Sequence, residues 1–346
     1  MTAALADFFR AFADFSLAPY APRYDAMTRA AADNAEVMAL LAAAPPDTHS
    51  PNNLQAAAHY LLLSGVDHPL AAAYEPEFDG DPGPAFCDLL LGHADAVAEL
   101  LATRVVQTNE VNRTAVIAPL VNWIGATTES PLALIDLGCS AGLNLLFDRY
   151  RITIGDASLG PADAGLCLSA ENRGGPVETA PAQIGWRRGV DRNPIDATDP
   201  DQARWLEALV WPDHPDRLAR LRAAIDELRN DPPPLVRADA LAGLESALAD
   251  APGDLLAVVL TSWVVYYFGD DLRHDFEAAL LGAARPTAWL AMEMAGVVPD
   301  VDTPPPPDGA GEMSAMTLVT GGADRPVERR FLGWTHPHGA WIDLVV

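Results

Sequence analysis

Lysine is absent from this chain: all 22 basic residues are arginines. Without a lysine amine there is no Schiff-base or pyridoxal chemistry. The phosphate loop, whose lysine reaches the β- and γ-phosphates, is excluded as well. Positive charge of any kind is scarce, with 22 arginines against 48 acids and a net charge of −26. Such a surface repels phosphate backbones and anionic bilayers. Nucleic acid and membrane are therefore not expected as partners, and a small-molecule substrate is. The same acidity also serves plain solubility, and the arginine-, alanine- and proline-rich composition is that of a GC-rich coding sequence. Cysteine is limited to Cys87, Cys139 and Cys167, far apart and with no C-x-x-C pair. Neither a zinc knuckle nor a disulfide framework is indicated, and no metal is expected. Long apolar runs are missing too. Leu255 to Phe268 is the longest, short of the roughly 20 residues a membrane-spanning helix takes. Met1 to Phe15 has no basic start and carries Asp7 and Asp14, unlike a signal peptide. The expected location is the cytoplasm; the oligomeric state is not legible.

What is present is ample core material: half of the 346 residues are apolar. Residues 1–128 carry alanine- and leucine-rich stretches with helical spacing over Ala4 to Phe15, Arg23 to Ala44, Asn53 to Gly65, Pro84 to Thr103 and Glu110 to Ile124. They predict an all-helical cap or lid region. The pattern changes at Pro131. Apolar strand candidates, Leu132 to Leu137, Ile184 to Val190, Leu235 to Arg237, Leu255 to Thr261 and Thr287 to Glu293, alternate with helical stretches. That alternation predicts a parallel sheet with helices on both faces over residues 129–346. Ala315 to Thr320, Val327 to Trp334 and Ala340 to Val346 are separated by tight turns and read as an antiparallel C-terminal edge.

The first strand runs into Ile135-Asp136-Leu137-Gly138-Cys139-Ser140-Ala141-Gly142-Leu143-Asn144, and a helix is expected over Leu143 to Tyr150. Glycine at such a turn lets a ligand approach the backbone, and a helix N-terminus offers free N–H groups. The dinucleotide fingerprint G-x-G-x-x-G fits poorly, because Ser140 and Leu143 stand where its second and third glycines belong. Asp136-Leu137-Gly138-Cys139-Ser140-Ala141-Gly142 instead resembles the turn of class I methyltransferases that bind S-adenosylmethionine (SAM). By that resemblance Gly138 and Gly142 pack against the methionine part of SAM, and Asp136 acts near its amino group, often through water. Ser140 and Asn144 belong to the same cofactor-binding stretch. Gly138 to Gly142 also satisfies G-x-S-x-G, the nucleophile elbow of α/β-hydrolases. Against this, only helices precede the turn, and no His-Gly-Gly motif lies upstream.

A Rossmann-type site places an acid at the end of the second strand, about 20 residues after the first turn. Asp156 has that offset. Gly189-Val190-Asp191-Arg192-Asn193-Pro194 has the methyltransferase-like sequence, so Asp191 and Asn193 are preferred. The choice implies an insertion over residues 151–185, read as a β-hairpin excursion near the active face. Asp239 in Ala238-Asp239-Ala240 ends a third strand, where SAM enzymes often carry an acid for the adenine amino group. Ser262 and Trp263 end the fourth strand and are candidates for the ligand side, Trp263 equally for packing.

Asn53 to Leu63, Arg104 to Arg113, Gly142 to Tyr150, Gly189 to Pro194, Arg204 to Pro212 and the tail His336-Pro337-His338-Gly339 together resemble an uncharacterised bacterial family, domain of unknown function 2332. The resemblance spans nearly the whole chain and carries no established reaction. Gln107, Asn109 and Arg113 are candidate lid residues, although Thr108 or Asn109 also suits a helix cap. Glu110, His336 and His338 are candidate catalytic groups, the histidines as a general base or merely as a turn. The expected fold is α/β: a Rossmann-like, doubly wound, mostly parallel seven-stranded sheet of class I methyltransferase type, with an antiparallel C-terminal edge and an all-helical N-terminal region. The leading reading is a SAM-dependent methyltransferase-like enzyme. A serine hydrolase using Ser140 and a non-catalytic nucleotide-binding module are the alternatives.

Overall fold

A computed structural model describes residues 2–17, 20–107, 110–128, 130–307, 313–323 and 325–345. Its helices are α1 (Thr2–Phe12), α2 (Pro22–Asp33), α3 (Ala35–Ala42), α4 (Pro51–Leu63), α5 (Gly83–Gly92), α6 (Ala94–Thr103), α7 (Thr114–Ala126), α8 (Pro200–Ala208), α9 (Pro215–Asn230), α10 (Ala240–Asp250) and α11 (Asp270–Leu281). Its strands are β1 (Leu132–Leu137), β2 (Arg151–Ile154), β3 (Ala157–Leu159), β4 (Cys167–Asn172), β5 (Ile184–Asp191), β6 (Leu235–Arg237), β7 (Leu256–Ser262), β8 (Thr287–Glu293), β9 (Ser314–Gly321), β10 (Glu328–Thr335) and β11 (Trp341–Leu344). Contacts divide the chain into two compact units, Met1–Thr108 with Asp199–Arg222, and Asn109–Thr198 with Ala223–Val346.

The first unit holds α1 to α6, α8 and the start of α9. The long helix expected over Arg23 to Ala44 is two helices. The Asn34 side chain accepts hydrogen bonds from the N–H groups of Glu36 and Val37, which starts a new helix there. The stretch from Pro84 to Thr103 is likewise divided, with His93 between α5 and α6. His59 is buried, with Nδ1 3.2 Å from the Ala208 carbonyl and its ring stacked on Tyr74. It is structural.

The second unit is built on one sheet with the order β3-β2-β4-β11-β10-β9-β8-β7-β1-β5-β6. Among the described residues it has eleven strands, not the seven expected from sequence. The extra strands have a clear origin. The 151–185 excursion forms the β2–β3 hairpin, and β4 then pairs in parallel with both β2 and β11. The expected antiparallel edge, β9 to β11, therefore lies inside the sheet.

The core of the sheet matches the alternating pattern. β6, β5, β1, β7 and β8 are parallel neighbours. Numbered by chain order within that group, they run 3-2-1-4-5, the doubly wound arrangement with its switch point between β1 and β7. All six residues of β1 and all seven of β8 are buried, as strands covered on both faces must be. Ile135, Leu137, Val259, Trp289 and Ala291 project to one face, where they meet Leu244 of α10 and Phe276 and Leu280 of α11. On the other face Trp123 and Ile124 of α7 share a cavity with Leu256 and Ala288. Strand direction decides which loops share an edge. β9 is antiparallel to β8, and β10 to β9. β10 thus ends at the same edge as β1, β5, β7 and β8.

Candidate functional site

Ligands of doubly wound sheets bind beyond the carboxyl ends of the strands. At that edge β1 enters the glycine turn. Gly138 and Gly142 have φ of 69° and 75°, a region that disfavours other residues. A Cβ on Gly138 would fall 2.3 Å from Val264 Cγ2, and one on Gly142 would fall 2.8 Å from Leu235 Cδ2. Packing within the protein therefore accounts for both glycines. The helix expected over Leu143 to Tyr150 is a 3-10 helix, Leu143–Arg149. Its short, tight geometry gives no extended N-terminal anion site. Asn144, within it, accepts from the Thr114 hydroxyl (3.0 Å).

Acids surround the turn. Asp191, at the end of β5, accepts the Ser140 N–H (2.8 Å) and the Asn193 N–H (2.7 Å). It thereby ties the first turn to the second. Arg237 donates to Asn193 Oδ1 (3.0 Å). Asp156 sits in the turn between β2 and β3, away from β1. Asp191, not Asp156, therefore closes the strand that pairs in parallel with β1. Asp136 is the more unusual group. It is 2% exposed, and its Oδ2 has no hydrogen-bond partner. Burial, with the nearby Asp191 charge adding to it, pushes its pKa up to about 8. Asp239 is exposed and caps α10 by accepting from Ala242 N–H (3.2 Å).

A second cluster gathers segments far apart in sequence. Arg113 Nε donates to the Pro337 carbonyl (2.8 Å), and its Nη1 donates to the carbonyl (3.2 Å) and Oγ (3.3 Å) of Ser262. Asn112 Nδ2 donates to the carbonyls of Gly339 and Ser169, both at 3.0 Å. Glu110 is buried; its Oε1 accepts the Asn112 N–H (3.1 Å), and its Oε2 lies 3.6 Å from His338 Nδ1. The two sequence motifs around Arg113 and around His336 to Gly339 are thus one structural unit beside the end of β7. Gln107 lies in the helical unit, and Asn109 lies outside the described residues.

Trp263 follows β7 with φ of 60°, a strained value for an aromatic residue. Its N–H donates to Met292 O (3.0 Å) and its indole N–H to Ser314 Oγ (2.8 Å). The residue that fixes this loop is Glu293, which the sequence motifs do not single out. Its carboxylate accepts from the N–H groups of Val264, Val265 and Tyr266 at 3.0, 3.1 and 3.3 Å. Burial raises its pKa against the lowering effect of those bonds. An acid closing an otherwise apolar strand, Thr287 to Glu293, is the signal that could have found it.

A cavity of about 370 Å³ opens at the opposite, amino edge, between Trp123, Leu256, Thr287, Thr320, Glu328 and Arg330. It contains none of the clustered polar groups just described. Among the described residues no group of three or more His, Cys, Asp or Glu side chains is arranged to hold a metal. No described helix is long and apolar enough to cross a membrane.

The fold and this edge define an α/β protein with a large, mostly parallel sheet and a polar, acid-lined carboxyl edge. The family model for uncharacterized proteins conserved in bacteria (DUF2332) matches residues 6–344, and the chain belongs to that family. A comparison with curated proteins gave no match.

Proposed function

We propose that the protein binds S-adenosylmethionine at the carboxyl edge of β1 and β5 and is a methyltransferase acting on a small molecule. The observation that carries this reading is the acid pair at the turn: Asp191 beside Asp136, the latter buried with one oxygen unpartnered. A dinucleotide or nucleoside triphosphate would bring phosphates to two carboxyls, in a chain without lysine, and would be repelled. An ammonium or sulfonium centre is attracted by the same pair. SAM carries both. Bound there, it supplies a methyl group on a positively charged sulfur.

The residues of the edge suit that ligand. Asp191 closes the strand beside β1, the position from which an acid meets ribose hydroxyls in Rossmann-type sites. Asp136, protonated near neutral pH before the ligand binds, gives up that proton when the methionine amino group arrives and then offers it a negative charge. Methyl transfer to a positioned acceptor needs alignment above all, which a pre-formed edge supplies. Isothermal calorimetry with SAM and S-adenosylhomocysteine tests the reading: one site per chain is expected. Folded protein that shows neither heat nor a melting shift with either ligand at millimolar concentration refutes it.

One observation favours a second reading. Ser140 has φ of 52°, the strained backbone typical of a nucleophile elbow. Yet Ser140 is buried, and its N–H is taken by Asp191. Labelling of Ser140 by a fluorophosphonate probe would support a hydrolase; an unlabelled Ser140 removes that reading.

A further inference from the structure

The cavity at the amino edge is built from one face of the sheet and the last turns of α7. Residues two apart on a strand share a face. On β10 this turns Glu328 and Arg330 to the cavity, while Arg329 between them points the other way and pairs with Glu277 of α11 (3.0 Å). Strand register carries the row onward. Glu328 stands opposite Thr320, Thr320 opposite Ala288, and Arg330 opposite Leu318. Leu256 at the start of β7 completes an apolar floor with Ala288 and Leu318, and Trp123 stands at the wall. The space, about 370 Å³, lies within the range of small-molecule sites, roughly 300 to 1,000 Å³.

Three charges line this cavity: Arg325 from the turn between β9 and β10, Glu328 and Arg330. All three are exposed. Among the described residues none of them makes an ion pair or a side-chain hydrogen bond. Acids outnumber arginines by 48 to 22 in this chain, yet two guanidinium groups on one cavity stand without one. Arg330 lies over the Trp123 ring, its Cζ 5.2 Å from the ring centre. The ring attracts the cation and uses none of its N–H donors. A guanidinium with free donors meets a carboxylate through two parallel hydrogen bonds. Glu328 has the opposite preference: it repels a carboxylate and attracts an ammonium group. The complement of this cavity is a molecule with a carboxylate, an ammonium group and an apolar body.

We infer that this cavity binds a free apolar amino acid, with its carboxylate on Arg325 and Arg330, its ammonium group at Glu328 and its side chain on the floor of Leu256, Ala288 and Leu318. A plain organic acid would oppose Glu328, and a plain amine would face two arginines. A zwitterion satisfies all three charges. The site is separate from the glycine turn. β7 has seven residues, so the two edges of the sheet lie about 20 Å apart. The inference therefore stands or falls independently of the methyl-transfer reading.

NMR of the full chain labelled with nitrogen-15 tryptophan tests this at the cavity wall. The Trp123 indole signal is assigned with Trp123→Phe. Leucine, methionine and phenylalanine are titrated, each beside its deaminated acid and its decarboxylated amine. The expected result is a saturable shift of the Trp123 signal with at least one amino acid at millimolar concentration, and binding of its acid and its amine weaker by about tenfold or more. Arg325→Gln and Arg330→Gln should each weaken the amino acid by about tenfold. Glu328→Gln should weaken the amino acid and leave the deaminated acid bound at least as well as before. Arg329→Gln, on the opposite face, should leave binding unchanged. No shift of Trp123 with any of the three amino acids overturns the inference. So does a deaminated acid that binds as tightly as its amino acid, or binding that survives in both Arg325→Gln and Arg330→Gln undiminished.

Discussion

Replacing Asp136 by asparagine keeps the shape of the side chain and removes one ionisable group from the heart of the site. In the fold, desolvation first and the Asp191 charge second push the Asp136 pKa up to about 8. In an unfolded chain an aspartate ionises near pH 3.9. Between these values the folded state holds a proton that the unfolded state has released. The contribution of Asp136 is thus fully present below pH 4 and is lost as pH rises toward 8, by about 1.4 kcal/mol per pH unit. Asparagine has no such dependence. The unfolding free energy of Asp136→Asn, minus that of the parent, should therefore grow by about 3 kcal/mol from pH 5 to pH 7. Urea unfolding at pH 5, 6 and 7 measures it, and titrating groups remote from Asp136 cancel in the difference. A flat difference would mean that Asp136 is already ionised in the fold, and the reasoning that burial keeps it protonated would fail. Calorimetry supplies a second reading of the same group. S-adenosylhomocysteine, through its ammonium, should displace the Asp136 proton at pH 7, so its binding heat should depend on the buffer's ionisation enthalpy. In Asp136→Asn that dependence should vanish and affinity should fall about tenfold, the equivalent of about 1.4 kcal/mol.

Other perturbations have defined outcomes. Glu293→Ala leaves three main-chain N–H groups of the 264–266 turn without their acceptor and should cost about 3 kcal/mol or more in urea unfolding. Glu293→Gln, which keeps an acceptor oxygen, should cost less; equal costs would contradict the assignment. Gly339→Ala forces a Cβ against the Asn112 carbonyl and should lower the melting temperature by several degrees, with large NMR shifts at His336 and His338. Unchanged histidine signals would show that the loop is not clamped. Burial lowers the His59 pKa to about 4, so this residue stays neutral in the fold while the unfolded chain protonates below pH 6.5. Its contribution is lost as pH falls from 6.5 to 4, by about 3 kcal/mol, the opposite sign to Asp136. His59→Gln should lack that acid-side slope in urea unfolding.

The parallel strands are legible in the sequence because their chemistry is local. Leu132 to Leu137 and Thr287 to Glu293 are mostly apolar runs, and both strands begin and end where those runs do. The eleven-stranded sheet is not legible, because its surplus depends on pairing between Glu171 and Trp341, a contact with no local signature. Helical spacing over Arg23 to Ala44 misleads at Asn34, where a side chain that caps the backbone outweighs periodicity. The glycine turn and Asp191 are found by motif, but the reasons differ from those a motif suggests. Gly138 and Gly142 are needed for packing against Val264 and Leu235, and Asp191 holds the turn's own backbone. Glu293 and Asn112 escape a sequence motif because their partners are main-chain groups, which sequence does not distinguish.

The direction of one hairpin decides whether this edge can be a catalytic site. β9 turns the chain back along β8, and β10 turns it again, so residues after Thr335 emerge where β1, β5 and β7 end. One strand fewer would have delivered His336 and His338 to the amino edge, beside the cavity at Trp123. Arg113 then fixes the spacing, joining the Pro337 carbonyl to the end of β7 at Ser262. In a chain with 48 acids and 22 arginines, this buried guanidinium donates to the Pro337 and Ser262 carbonyls and the Ser262 hydroxyl, while Asp136 and Asp191 lie on the neighbouring strands β1 and β5. That arrangement supports the functional reading: a turn where acids of two neighbouring strands meet attracts a cationic ligand, and a loop fixed by Arg113 stands beside it.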